Sequence, residues 1–301
     1  MEKTEKKKKS KGIRANGLVF EIIAITVLGL YSFTLLFALG WGIIISLKDI
    51  IDFTLNPLGF PAELRFENYL NAFKELKVEV AWGEGRRTIE FLELLFNSIL
   101  YVVGCTLIST YTHLTCAYVS AKYPRWITKL MHTIVVVVIA FPMVGSLSSG
   151  LVLLKATGVY NNRLMYFLYC GGFTGTNFLI YYSAFKGVSS TYAEAAKIDG
   201  AGHYTIMFKI MIPMVKNLLT GMMLLAVIGY WNDWYTAMVY LPSYPNISYA
   251  LYKFQFNTNN SVSSVPVQTA GCMLVMLPTL LIFLVFRNKF IGNISYGGLK
   301  G

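Results

Sequence analysis

The sequence has no G-x-x-x-x-G-K-[ST] phosphate loop, so this chain does not bind ATP in the P-loop manner by itself. It has no H-E-x-x-H, and its three histidines (His113, His132, His203) are scattered, which argues against a metal site. The four cysteines (Cys105, Cys116, Cys170, Cys272) all fall inside apolar runs without paired spacing, so they give neither a disulfide framework nor a redox address. Charge is also scarce, at 14% of residues against about 25% in soluble domains. Asp233 is the one acid well inside an apolar run, so an intramembrane aspartyl or zinc protease would lack its second acid or its ligands. No catalytic residue is assigned.

What is abundant is apolar sequence: 55% of the 301 residues are hydrophobic and 15% aromatic. The net charge of +11 is not that of a nucleic-acid binder, because seven of the 26 basic residues crowd into the first fourteen positions ahead of an apolar run. A lysine block there reads as a cytoplasmic anchor facing anionic lipid. Six runs are long enough to span a bilayer: 22–47, 94–121, 127–154, 164–185, 218–241 and 267–286. The first exceeds a signal-peptide core and carries no small-x-small cleavage site, so it is kept as a mature helix. The second carries Thr106, Ser109, Thr110, Thr112, His113 and Thr115, and one side of it is expected to pack on protein. His113 reads as a packed helix residue rather than a proton relay. The third is broken by Pro142, Gly145 and Gly150, and Gly171, Gly172 and Gly175 supply small packing residues in the fourth. With six spans both termini share one side. Seventeen of the 26 bases lie there, so the termini and the 186–216 loop are predicted to be cytoplasmic.

That loop is the only polar, Gly-marked segment between two apolar runs deep in the chain. Thr191 with Glu194 reads as a capping box opening a helix. Gly200 and Gly202 read as its stop, and a second short helix follows with Ile206, Phe208, Ile210 and Ile212 as its apolar side. Pro213 either closes that helix or opens the next span. Glu194-Ala195-Ala196, then Asp199-Gly200-Ala201, then Phe208, Ile210 and Pro213 resemble the EAA loop of ABC-type import permeases, in the spacing of the sugar-permease branch that includes the maltose permeases. Any capped helical hairpin between two spans could also carry Glu and Gly here, and the rest of the chain supplies the context. Phe66-Glu67-Asn68-Tyr69 is similar to an element of the first outer loop in that branch, though an ordinary amphipathic loop helix would read the same. Asn97-Ser98, Tyr230-Trp231-Asn232-Asp233-Trp234 and the terminal Gly297-Gly298-Leu299-Lys300-Gly301 also resemble it.

The resemblance covers residues 20–301 and implies an all-α polytopic membrane protein with six transmembrane helices and the ABC type I importer permease fold. A basic cytoplasmic segment (1–20) would precede the permease domain (21–301). It implies a transport subunit rather than an enzyme, in a bacterial cytoplasmic membrane, passing a carbohydrate inward. ATP and magnesium would be bound by a partner ATPase dimer, with a second, homologous permease subunit, an extracellular solute-binding protein and membrane lipid as the other partners. Glu194, Ala195, Ala196, Asp199, Gly200, Ala201 and Pro213 would meet the ATPase, with Gly297, Gly298 and Lys300 of the tail reaching its interface. Tyr230, Trp231, Asn232, Asp233 and Trp234 have the chemistry of a sugar path, and equally that of an interfacial aromatic belt. The other classes weighed are an ion-coupled secondary carrier, for which Asp233 is the one intramembrane charge and no matching half is visible, and a membrane scaffold, which has no use for the 186–216 loop.

Overall fold

In a computed structural model, residues 2–141, 147–257 and 264–294 are described, with side chains at 20–141, 147–257 and 264–286. The chain falls into two compact units, Met1–Ala72 with Thr258–Leu274, and Phe73–Asn257 with Val275–Gly301.

The first unit is built on α1 (Glu2–Ser46), which runs through the lysine block without a break. The compositional boundary at residue 20 is therefore not a boundary in the backbone. From Phe20 to Phe37 its large apolar side chains are exposed on every side, which suits lipid or another protein rather than water. The carbonyls at its end, orphaned as at any helix C-terminus, are met from the outer loop. Asn68, at the start of α3 (Glu67–Glu75), is buried and donates to the Ser46 and Lys48 carbonyls at 2.9 and 2.8 Å, and the Arg65 N–H donates to Leu47 at 2.8 Å. The Tyr69 hydroxyl bonds Ser46 Oγ at 2.6 Å. The Phe66–Tyr69 element thus has a definite task, tying the loop to the helix end. Between them lies α2 (Ile50–Leu55), capped by Asp49. Lys48 is fully buried and donates to the Asn56 carbonyl.

The second unit opens on an antiparallel hairpin, β1 (Val78–Trp82) and β2 (Gly85–Ile89), with Val78 opposite Ile89 and Trp82 opposite Gly85. Gly83, at φ +60°, is the left-handed first residue of its two-residue turn, the place where type II′ geometry wants glycine. Val78, Val80 and Ile89 are buried and Glu79, Arg86 and Arg87 exposed. The all-α expectation is corrected accordingly: the described residues are mostly helical with one hairpin, whose strands are too short for their alternation to stand out within a charged loop.

The centre of the second unit is α4 (Phe91–Lys122). It packs against α5 (Trp126–Ala140), α7 (Arg163–Cys170), α8 (Thr176–Gly187), α11 (Lys216–Trp231) and α13 (Ile247–Gln255). Its polar side is buried, including Asn97, Ser98, Thr106, Ser109 and His113, as its composition predicts. At Gly104 the Phe167 ring of α7 packs so closely on the helix that an added Cβ would lie 2.8 Å from it.

The six expected spans are not six whole helices. Among the described residues three helices are long and apolar enough to cross a membrane, Phe20–Ser46, Phe91–Lys122 and Val265–Phe286. A fourth arises if the bent pair His203–Met214 (α10) and Lys216–Trp231, which turn by 81°, is one span. The run at 127–154 divides into α5 and α6 (Leu147–Ala156), and Pro142 and Gly145 lie outside the described residues. The run at 164–185 is interrupted between α7 and α8, and that at 218–241 between α11 and α12 (Trp234–Val239). A hydropathy window sums apolar residues and is blind to where the helix between them stops. The last helix, α14 (Val265–Ile294), carries Pro278 in its interior.

Candidate functional site

Two groups of the expected site residues are described, and the third, Gly297, Gly298 and Lys300, lies outside the described residues.

The first group forms a helical hairpin. Its first helix, α9 (Thr191–Ile198), is not opened by a Thr191–Glu194 capping box. Ser190 is already helical (φ −68°, ψ −20°), and the Thr191 N–H is taken by Ser189 Oγ at 3.3 Å. The cap has moved two residues upstream, because a hydroxyl caps best from a residue outside the helical region. Substituting Ser189 by Ala is expected to cost about 1 kcal/mol of local helix stability and Thr191→Ala much less, read as faster amide hydrogen exchange over 191–194 in the first variant only.

The stop is as predicted at Gly200, whose φ is +80°. The Gly200 N–H bonds the Lys197 carbonyl at 3.0 Å and the Ala201 N–H bonds that of Ala196 at 2.9 Å, a Schellman pairing. Gly202 is extended (φ −70°, ψ 162°) and leads the next helix instead of ending this one. That helix, α10, is wound wide over Ile206–Met211. Pro213 sits in its final turn, before the bend at Val215. Proline has no N–H, so the Lys209 carbonyl lacks its usual donor four residues on, and a π-wound turn relieves this by pairing five apart. The expected apolar side is met in part: Ile206 is buried and Ile210 and Ile212 are half-buried against the same core, Met207 and Met211 are buried as well, and Phe208, expected on that side, is exposed.

Glu194, Ala195 and Asp199 are exposed, Ala201 is half-buried, and Ala196 is buried. Ala196, Ile206, Met207 and Met211 share one apolar cluster with Phe178, Tyr181 and Phe185 of α8, Leu114 and Tyr118 of α4 and Val135 of α5. The hairpin therefore sits on the helices through side-chain packing on one face and leaves the other bare. Ile198 (87% exposed) and Tyr204 (79%) stand on the bare face. Sequence reasoning missed both, although each lies off the apolar stripe of its helix. The Tyr123 hydroxyl, at the α4–α5 turn, bonds His203 Nδ1 at 2.9 Å and steadies the hairpin's second arm.

The second group, Tyr230 to Trp234, lies at the interruption between α11 and α12, and its members do different things. Trp231 is buried and donates Nε1–H to the Val275 carbonyl at 3.2 Å. Trp234 stacks on Tyr252 with ring centroids 4.1 Å apart. Asn232 is exposed, its amide returned to the Ile228 carbonyl at 2.9 Å. Asp233 caps α12, one carboxylate oxygen accepting the Thr236 N–H at 3.0 Å and the other the Tyr101 hydroxyl at 2.7 Å. Both oxygens are thus committed to holding the break between the helices.

Tyr230 and Asp233 also line a pocket of about 280 Å³ with Ser109 and His113 of α4, Asn177 of α8, and Ala226 and Gly229 of α11. Three of its polar members, Ser109, His113 and Asn177, were not singled out as site residues from sequence: the first two lie one turn apart on α4, and no spacing connects them to Asn177 of α8. The thiols of Cys105 and Cys170 also meet, 3.2 Å apart across α4 and α7, where no sequence spacing pairs them. Among the described residues no three His, Cys, Asp or Glu side chains gather as a metal site would require.

Comparison with known proteins places residues 113–289 in the family described as binding-protein-dependent transport system inner membrane component. The diacetylchitobiose uptake system permease protein of Streptomyces coelicolor is 23% identical over 287 residues, covering 93% of this chain and 89% of its own. The maltodextrin transport system permease protein of Streptococcus pneumoniae is 23% identical over 278 residues, covering 90% and 95%. The melibiose/raffinose/stachyose import permease protein of Bacillus subtilis is 24% identical over 258 residues, covering 80% and 83%. Among solved structures, a chain of a bacterial ABC transporter involved in the import of the acidic polysaccharide alginate aligns with a TM-score of 0.73 at 22% identity, covering 90% of this chain and 96% of that one.

Proposed function

The chain belongs to the family of binding-protein-dependent transport system inner membrane components, and from that premise we propose that it is the permease subunit of an ATP-binding-cassette importer of carbohydrates. It is a transport subunit and not an enzyme: ATP and magnesium are handled by a separate ATPase dimer. A second, homologous permease completes the path, and an extracellular solute-binding protein delivers the saccharide. The substrate class is supported by the relatives, named for diacetylchitobiose, maltodextrin and the melibiose–raffinose–stachyose series. The chain crosses the membrane six times in this reading, with α5–α6, α7–α8 and α11–α12 as interrupted crossings. The excess of basic residues on the terminal side supports cytoplasmic termini and a cytoplasmic hairpin, with residues 1–20 as a basic lead, 21–301 as the permease domain and the Gly297–Lys300 tail against the ATPase.

The observation that carries the proposal is the hairpin, bare on one face and packed into the helices on the other. Closure of an ATPase dimer on nucleotide acts on the bare face, through Glu194, Ala195, Asp199 and Ile198. The packed face, through Ala196 and Met207 against Phe185 and Tyr181, carries the displacement to α8 and α4. That is a two-state element biased by nucleotide.

The test is co-purification and coupling. The tagged chain, drawn from native membranes in mild detergent, is expected to bring an ATPase and a second permease. Gly200→Asp forces a left-handed residue to carry a Cβ, at roughly 1–2 kcal/mol, in open space. It should leave the chain in the membrane and cut uptake at least tenfold, while ATP hydrolysis continues. Full uptake in that variant, or a chain that comes out alone, would sink the coupling model.

A further inference from the structure

The pocket between α4, α8 and α11 lies where two interrupted spans meet. Helix α8 begins there, with Gly175 at its N-terminus offering no side chain to cap it, and α11 ends there at Asn232-Asp233. Irregular backbone at membrane depth is tolerated where it is buried in protein or lines a cavity, and transporters place substrate groups at such discontinuities. Into this pocket the chain turns uncommitted polar atoms. His113 Nδ1 lies 2.6 Å from the Ser109 carbonyl, which can only accept, so Nδ1 carries the proton and the neutral ring offers Nε2 as an acceptor. Nε2 faces Gly175, where the missing side chain leaves it uncovered. The Asn177 amide, which can both donate and accept, makes no hydrogen bond to another described residue. The only charged side chain in the lining is Asp233, with no Lys or Arg beside it.

We infer that this pocket is a subsite for one unit of an uncharged saccharide on the translocation path, with His113 Nε2 accepting from a sugar hydroxyl and Asn177 bridging two. The inference rests on the carbohydrate-importer reading and narrows it. At about 280 Å³ the space falls just under the ~300–1,000 Å³ of sites for drug-sized ligands, which suits one sugar unit and not a chain. An anionic sugar would meet the Asp233 carboxylate with no cation to balance it, a repulsion that rejects uronates and phosphorylated sugars.

Two measurements on the complete importer test this. Uptake into proteoliposomes holding the chain, its ATPase, the second permease and the binding protein, with radiolabelled maltotriose, raffinose, diacetylchitobiose and an oligogalacturonate as probes, identifies what is carried. Equilibrium binding of the carried probe to the permease–ATPase complex, with the binding protein left out, then reads the pocket. At least one neutral probe should be carried and the oligogalacturonate should not. Gly229→Val puts a side chain into the pocket from a position where an added Cβ meets nothing within 4 Å; with the variant recovered from membranes at the normal level, it should weaken probe binding at least tenfold. Asn177→Ala should do the same. Absence of binding by the unaltered complex, or equal binding by both variants, overturns the subsite and leaves the importer standing. Carriage of the oligogalacturonate overturns the neutral-sugar assignment. ATP-driven uptake of a non-saccharide, with all four probes refused, overturns the carbohydrate reading and this inference with it.

Discussion

An Ile198→Asp chain is expected to reach the membrane at the normal level and to bring down no ATPase. Ile198 ends α9 with 87% of its surface exposed, so the folded chain loses almost nothing when it is replaced. A partner groove closing over the hairpin would take that side chain out of water, a gain of about 1.5–3 kcal/mol for a fully buried isoleucine. An aspartate in its place forfeits the gain and adds the cost of an unpaired buried carboxylate, several kcal/mol more. At about 1.4 kcal/mol per factor of ten, affinity falls more than a hundredfold, enough to empty a pull-down. Ile198→Val, keeping most of the apolar surface, should lose less than tenfold. Normal recovery of the ATPase with Ile198→Asp would move the contact off the bare face altogether.

The second large effect separates two substitutions at one position. Asp233→Ala removes the cap of α12, worth about 0.5–2 kcal/mol. It also strands the hydroxyl of Tyr101, a buried residue, at about 1–3 kcal/mol more. The chain should then be recovered from membranes in sharply reduced amount and lose its compact elution profile on mild heating in detergent. Asp233→Asn keeps an oxygen for the Thr236 N–H and turns an amide toward Tyr101, whose hydroxyl can accept as well as donate. It should retain stability and most of its uptake. An ion-coupled carrier centred on this carboxylate would lose all uptake in the Asn variant, so the pair of substitutions separates the mechanisms in one experiment.

What could be read from the sequence follows what each residue needs from its surroundings. Gly200 was legible because a left-handed φ demands glycine locally, whatever else packs nearby. The helix start was not, because Ser189, Ser190 and Thr191 all carry hydroxyls and only backbone angles choose among them. The apolar side of α10 was legible at Ile206, Ile210 and Ile212, but an alternate spacing put Phe208 there and passed over Met207 and Met211, which share the buried face. Trp231 and Trp234 carry the chemistry of sugar recognition, yet one is committed to the Val275 carbonyl and the other to the Tyr252 face. Asn177 meets Ser109 and His113 only when α8 packs on α4, and nothing in linear order announces that.

The 81° turn at Val215 also has a mechanical meaning. Two rigid arms joined at nearly a right angle make a bell crank, which converts a push along one direction into a swing along another. The arm from His203 to Met214 has twelve residues and that from Lys216 to Trp231 has sixteen, so at about 1.5 Å per residue they are roughly 18 and 24 Å long. If the crank pivots at Val215, displacement at the hairpin end arrives at Tyr230 enlarged by about a third, the ratio of those arms. A stroke of one side-chain width at the ATPase would be delivered, undiminished and redirected, to the wall of the pocket.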